Sequence, residues 1–346
     1  MDTLDCLDEG KNVPSRYGNY LTFIKLIQTA KIMRPIDQKA ASVTFGVELE
    51  TIVPFSAMLQ VGSYHAGRPI VSAVGTEGTR LEAPGFQGRR WHADRDASIR
   101  PASSLTMGAE LVSPILHGEE GVQNLVDFIA WANAIGAKVN DSCGCHITIG
   151  VDSIIGTSSI QARAEFARKL AHIAQWHARS IYGQTGTGRH LNRYSHTFAA
   201  DVADLVRRME TAPDLRAKGE AAVQCGRGMI NFRKLFTHGV VEFRAFAGTT
   251  NAQKVMHHLA TAIGLCRRAH EVKRLGGFKK NKLQAKRTQS ATDALHFLWD
   301  YLGWTGDKRD VALGLFGRLH SDFAEYSPEA VRLCRRFDER YPTASL

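Results

Sequence analysis

The sequence predicts an α+β protein in which a sheet carries helices packed on one face. Short alternating or β-branched segments are separated by long amphipathic ones. No Gly-rich phosphate loop joins a strand to a helix, and no internal repeat runs at any period.

The 346 residues are 44% hydrophobic and 23% charged, an ordinary balance for a globular chain, and that length holds one large core or two smaller ones. No apolar run reaches the roughly 18 residues that a membrane-spanning helix needs. Residues 1–10 are acidic and lack the apolar stretch of a signal peptide. The expectation is a cytoplasmic protein with no membrane partner. Cys143 and Cys145 form a C-x-C without a second pair at zinc-site spacing, and Cys6, Cys225, Cys266 and Cys334 stand alone. Reduced, mostly buried thiols are expected, a structural zinc site being the weaker reading.

The net charge of +10 asks for a polyanionic partner: nucleotide phosphate, nucleic acid or an acidic peptide. Much of it is local to residues 267–288, which hold Arg267, Arg268, Lys273, Arg274, Lys279, Lys280, Lys282, Lys286 and Arg287. A solvated basic loop explains such a run as well as a binding surface does. No aromatic platform or RNA-binding signature is interleaved, so nucleic acid stays open but is not favoured.

Residues 1–40 read as an N-terminal extension, with one helix over 21–33 before Pro35. Residues 42–53 alternate and are rich in β-branched side chains, which predicts a strand closed by Pro54. The glycines and polar clusters of 61–95 predict loops or hairpins. A short strand follows over 109–115. Val122, Leu125, Val126, Phe128, Ile129 and Ala132 recur at helical spacing within 119–137, with Gly136 near the end. Residues 145–151 alternate as a strand, and 159–181 form a second helix. Segments 226–235 and 239–247 read as paired strands around a turn at 237–239. Helices are predicted over 251–269 and 291–302. One main domain is expected over 41–320, and 321–346 make a C-terminal helix or tail whose exposed-looking segment 330–337 offers an interface. Oligomeric state is open.

Four of these strands carry polar side chains that a core strand would not need. In Phe45-Gly-Val-Glu48-Leu-Glu50 the strand period of two puts both carboxylates on one face and Val47 and Leu49 on the other. Like charges that close repel unless a cation sits between them, and hard oxygen ligands suit magnesium. On its own E-x-E is more often a solvent-exposed face. Glu110 adds a third carboxylate beside an apolar strand core, His146 and Thr148 share a strand face opposite Ile147 and Ile149, and Glu242 and Arg244 share another. A lone strand histidine is more often structural than a ligand. Convergence of all these groups would make a surface costly to bury without a metal and an anionic ligand.

The order F-G-V-E-L-E, then D-x-S at Asp96 and Ser98, G-x-E-L-V-S-P, C-G-x-H and V-E-F-R-x-F-x-G-T resembles the putative amidoligase family. That family belongs to the carboxylate–amine ligase superfamily with glutamine synthetase and glutamate–cysteine ligase. The match runs from about Thr44 to Ala269, more weakly to Leu302. The resemblance implies a glutamine-synthetase-like catalytic core, with two or three magnesium ions on the concave face of a curved antiparallel sheet. It implies Glu48 and Glu50 as ligands of different ions, Glu110 as a further ligand of one, and His146 and Glu242 completing the ion that bridges the nucleotide phosphates. Arg244 resembles the arginine that steadies the transferring γ-phosphoryl group. Many relatives read H-x-H where this chain has His146-Ile-Thr148, and threonine is a poor metal ligand there.

Arg189, Arg193 and Tyr194 lie where similar enzymes place substrate-binding arginines, and a guanidinium fork suits carboxylate or phosphate; a solvated basic loop fits them equally. Asn231 and, less strongly, Arg233 are candidates for substrate or phosphate contact. Asp96 either orients and deprotonates the amine or serves a turn.

The activity implied is an ATP- and magnesium-dependent ligase joining a small-molecule or peptide carboxylate to an amine through an acyl phosphate. The rivals are a metal-dependent hydrolase, for which no H-E-x-x-H motif is present, and a non-catalytic nucleic-acid-binding protein using 267–287.

Overall fold

The computed structural model describes residues 43–63, 68–70, 90–101, 103–197, 228–273, 296–302 and 317–342, with 207, 208, 211–214, 217, 294, 344 and 346. The chain divides into compact units Met1–Pro35 and Ile36–Leu346, and everything described lies in the second. The helix expected over 21–33 and the basic run beyond residue 273 fall outside the described residues.

The elements in chain order are β1 (Thr44–Pro54), β2 (Arg68–Pro69), β3 (His92–Asp94), β4 (Thr106–Val112), β5 (Leu116–His117), α1 (Gly118–Ala134), β6 (Gly144–Gly150), α2 (Val151–Ile155), α3 (Ile160–Trp176), α4 (Ala178–Gly183), β7 (Ile230–Asn231), α5 (Leu235–His238), β8 (Val240–Ala247), α6 (Ala252–Glu271) and α7 (Gly317–Arg340). They build a mixed helix and sheet fold. The open sheet runs β2-β3-β4-β1-β6-β8-β7, with β5 also pairing β1, and its ladders are antiparallel.

Alternation decides the two sides of this sheet. Phe45, Val47, Leu49, Leu111, Ile147, Val241 and Phe243 are buried on one side, where α1 and α6 pack. Trp91, just ahead of β3, stacks on Phe128 of α1 with ring centroids 3.5 Å apart, and its indole N–H donates to buried Asn124 Oδ1 at 2.8 Å. Phe246 of β8 stacks on His258 of α6 at 4.4 Å. That last contact needs an irregularity, because period two would put Phe246 on the side of Glu242 and Arg244. Cys145 pairs with Phe246 and Ile147 with Phe243, so Arg244 and Ala245 together oppose His146. This β-bulge resets the alternation and turns Phe246 toward α6.

Several expected elements are shorter or broken. The helix expected over 159–181 breaks at His177, whose ring turns onto Phe297 and Tyr301 at centroid distances of 4.6 and 4.2 Å. The strand expected over 226–235 is reduced to β7, because Asn231 Oδ1 accepts the Arg233 amide at 2.9 Å and turns the chain into α5. A π-helix at His296–Tyr301 stands where a regular helix was expected. The segment 330–337 is exposed on one side only: Arg332, Arg335 and Arg336 face outward, while Ala330, Cys334 and Phe337 of α7 are buried and α7 packs on α1, α4 and α6. Among the described residues no helix is long and apolar enough to cross a membrane. Cys143, Cys145, Cys266 and Cys334 are free and buried.

Candidate functional site

Directly opposed residues of an antiparallel pair point to the same side. Glu50 lies opposite Glu110, Glu110 opposite Asp94, and Glu48 opposite His146. Thr148 lies opposite Glu242, which lies opposite Asn231. The ladder therefore gathers the predicted acidic residues and His146 on the side away from α1 and α6.

His146 is the hub, with a side chain only 1% exposed. Its Nδ1 lies 3.3 Å from Glu48 Oε2, 3.7 Å from Glu242 Oε1 and 3.9 Å from Glu110 Oε1. Its Nε2 lies 3.5 Å from Glu50 Oε1 and 3.3 Å from Arg189 Nη2. Burial, and then the Arg244 cation, lower its pKa to about 4, so it is neutral near pH 7 and keeps a lone pair to offer. Glu110 behaves oppositely. Burial first, then Glu48, Glu50, Asp96 and Asp94, raise its carboxyl to about 9.

Six acidic side chains (Glu48, Glu50, Asp94, Asp96, Glu110 and Glu242), of which Glu110 keeps its proton, thus share a surface with only two guanidiniums, Arg189 and Arg244. A buried surface does not hold that excess of negative charge unaided. Two groups offer one ligand atom per residue, all within 4.8 Å of one another: Glu48 with Glu110 and His146, and Glu50 with Asp96 and Glu110. Their oxygen-rich donors fit magnesium. Glu242 stands in neither group. One of its oxygens is held by Arg244 Nη1 and the other accepts from Asn231 Nδ2 at 2.9 Å.

The two arginines are held by backbone. Arg244 Nε donates to the Tyr194 carbonyl at 3.0 Å; burial works against its charge, but Glu242, Glu48 and Glu50 together outweigh that and leave its pKa raised. Arg189, 5% exposed, donates from Nε to the Arg244 carbonyl at 3.4 Å. Burial lowers its pKa while Glu50 opposes the shift. The Gly144 amide donates to Glu50 Oε2. A Cβ at Gly144 would lie 2.1 Å from Arg189 Nη2, so glycine there lets the guanidinium reach His146.

The remaining predicted residues divide. Asp96 is half-buried. Its Oδ1 accepts the Ser98 amide at 2.6 Å, a turn contact, and its carboxylate also reaches Glu50 and Glu110. Asn231 joins the cluster through Glu242. Arg193 is exposed and lies over the Tyr194 ring at 4.7 Å, while exposed Arg233 gives its backbone amide to Asn231. Neither guanidinium contacts the carboxylates among the described residues. Sequence reasoning passed over Asp94, 4% exposed and paired with Glu110. The spacing Asp94-Arg95-Asp96 was its signal, hidden in a segment read as loop.

Paired carboxylates, a neutral histidine and two fixed guanidiniums thus share one surface of an open antiparallel sheet, a donor set that could hold divalent cations. The chain belongs to the family described as "Putative amidoligase enzyme", whose model matches residues 41–266, more than half of its length. No curated protein matches it. Among solved structures, a bifunctional glutathione synthetase from Pasteurella multocida aligns at 9% identity and a TM-score of 0.36, over 94% of this chain and 53% of that one. This chain therefore spans about half of that protein's length, and so slight a likeness carries no argument.

Proposed function

We propose that the protein is an ATP- and magnesium-dependent carboxylate–amine ligase that forms an amide through an acyl phosphate, on a glutamine-synthetase-like core. One observation carries the reading: Glu48, Glu50, Glu110, Glu242 and His146, from four strands, converge beside Arg189 and Arg244. Membership of the amidoligase family supports it.

Glu48, Glu110 and His146 would hold one magnesium ion, and Glu50, Asp96 and Glu110 another. Bound there, magnesium neutralises the charge of a triphosphate. The substrate carboxylate oxygen attacks the γ-phosphorus and ADP leaves. The amine nitrogen then attacks the acyl carbon, phosphate leaves, and the amine's proton passes to a nearby carboxylate. Arg244 stands fixed between Glu242 and the Tyr194 carbonyl, where its charge steadies the transferring phosphoryl group. Arg189 presents a second guanidinium suited to the carboxylate being activated. Asp96, half-buried beside Glu50 and Glu110, would orient the amine and take its proton. Small-molecule or peptide acids and amines are the substrates, and buried free thiols accord with a cytoplasmic setting.

The test is ATP turnover against pooled amino acids and short peptides, with mass spectrometry for products one water lighter than their summed reactants. ADP release should require both an acid and an amine. Glu48→Gln and Glu242→Gln should abolish it while circular dichroism and melting stay close to those of the parent. Full turnover in either variant overturns the assignment, and phosphate release without an amine points to hydrolysis.

A further inference from the structure

Arg189 reaches the acidic face from a short 3₁₀ turn, Arg189–Leu191, rather than from the sheet. Beside its own bonds to the Arg244 carbonyl and His146, Arg189 is placed by what its neighbours on the turn touch. From within, Tyr182 of α4 donates its hydroxyl to the Ser195 carbonyl at 2.5 Å, and Ser195 Oγ donates to the Arg189 carbonyl at 2.8 Å. From without, the buried ring of His190 meets Phe337 at 5.1 Å and Tyr341 at 4.7 Å, both edge-on. Gly188 lies so close to Tyr341 that a Cβ there would come within 2.8 Å of the phenol oxygen. The far end of α7 is fastened in turn by Arg179, which bonds Asp338 Oδ1 at 2.6 Å and the Tyr341 and Ala344 carbonyls at 3.0 and 3.2 Å.

All of the outer contacts come from beyond residues 41–266, the part that the family model matches. We propose that the end of α7 and Tyr341 act as a clamp that sets Arg189 in the site, with His190 as the positioning residue through which they act. The clamp's location is a matter of packing, and its use in catalysis rests on the ligase reading. His190 engages Phe337 and Tyr341 with its ring, and its Nδ1 makes no hydrogen bond. A phenylalanine should therefore serve in its place and an alanine should not.

The experiment uses the full chain and reads position apart from activity. Phenylglyoxal labelling of Arg189, followed by mass spectrometry, should rise by about tenfold or more in His190→Ala and Tyr341→Ala as the turn opens locally. His190→Phe should keep the protection of the parent. Arg163, buried on α3 and bonded to Asp152 and the Phe236 carbonyl, is the internal control and should stay protected throughout. Unchanged labelling of Arg189 in both alanine variants overturns the clamp, as does equal exposure of Arg163, which would mean general loosening. A parent protein that protects Arg189 but turns over no ATP sinks the ligase reading and leaves the clamp standing. Where turnover is found, kcat/KM should fall in His190→Ala and return in His190→Phe. Parent-like kcat/KM in His190→Ala, with Arg189 freely labelled, overturns the claim that the clamp serves the reaction.

Discussion

At the scale of single residues, Arg244 shows how narrowly the site is specified. Its guanidinium serves Glu242 with one nitrogen and the Tyr194 carbonyl with another. A lysine ammonium is a single point of charge and does not span two such acceptors in one plane. Arg244→Lys should therefore lower turnover on the order of 10²-fold or more, as loss of a fixed electrostatic donor does, while thermal melts show an intact fold. A variant within a few-fold of the parent would remove Arg244 from the mechanism. The alternations Glu48/Glu50, His146/Thr148 and Glu242/Arg244 were readable in the sequence because strand period is a matter of backbone geometry. Asp94 was not, because β3 is only three residues long and leaves no alternation to count. Arg193 and Arg233 have the right chemistry in the right neighbourhood, yet they stand exposed. Which guanidinium turns inward depends on chain paths that spacing does not encode.

At the scale of elements, the long amphipathic helices were legible and the short strands were not. The apolar stripes of α1 and α6 recur over many turns. A strand of two residues such as β7 exists only because β8 lies beside it. The break at His177 and the turn at Asn231 likewise follow from contacts made across the fold. Trp91 tests how far one element supports another. Its ring is fully buried on Phe128 and its N–H is spent on Asn124, and it lies immediately before β3, which carries Asp94. Trp91→Ala should cost about 3–5 kcal/mol of stability, measured by denaturant unfolding. Magnesium affinity should drop along with it, since the strand leading to Asp94 and Asp96 loses its anchor. A loss below about 1 kcal/mol would mean that the helix does not fix the edge of the sheet.

At the scale of the whole molecule, the buried ionisable groups set opposing dependences on pH. His146 and His257 are depressed to about 4 and 3, and His258 lies well below its ordinary value of 6.5, all chiefly through burial. Each binds its proton more weakly when folded, so each adds stability as pH rises toward 6.5. Glu110 runs the other way. Its folded pKa of about 9 against an ordinary 4.5 means that the folded state keeps a proton the unfolded chain has lost, and stability declines as pH rises across that window. Together these groups place the maximum for chelator-treated protein near pH 6.5, with a fall toward 9. Magnesium should flatten the fall, because it takes over the role of the proton among the carboxylates. A melting temperature indifferent to pH between 6.5 and 9 in chelator would show that Glu110 is not crowded as described. Beyond the pairing of β7 with β8, the strand order behind this crowding was out of reach of the sequence. That order also has a consequence for synthesis. β4, β1 and β6 are complete once residue 150 has left the ribosome, and they already hold Glu48, Glu50, Glu110 and His146. Arg189 and Arg244, which offset them, are made later. The nascent half of the sheet thus gathers its acidic side chains before either guanidinium exists.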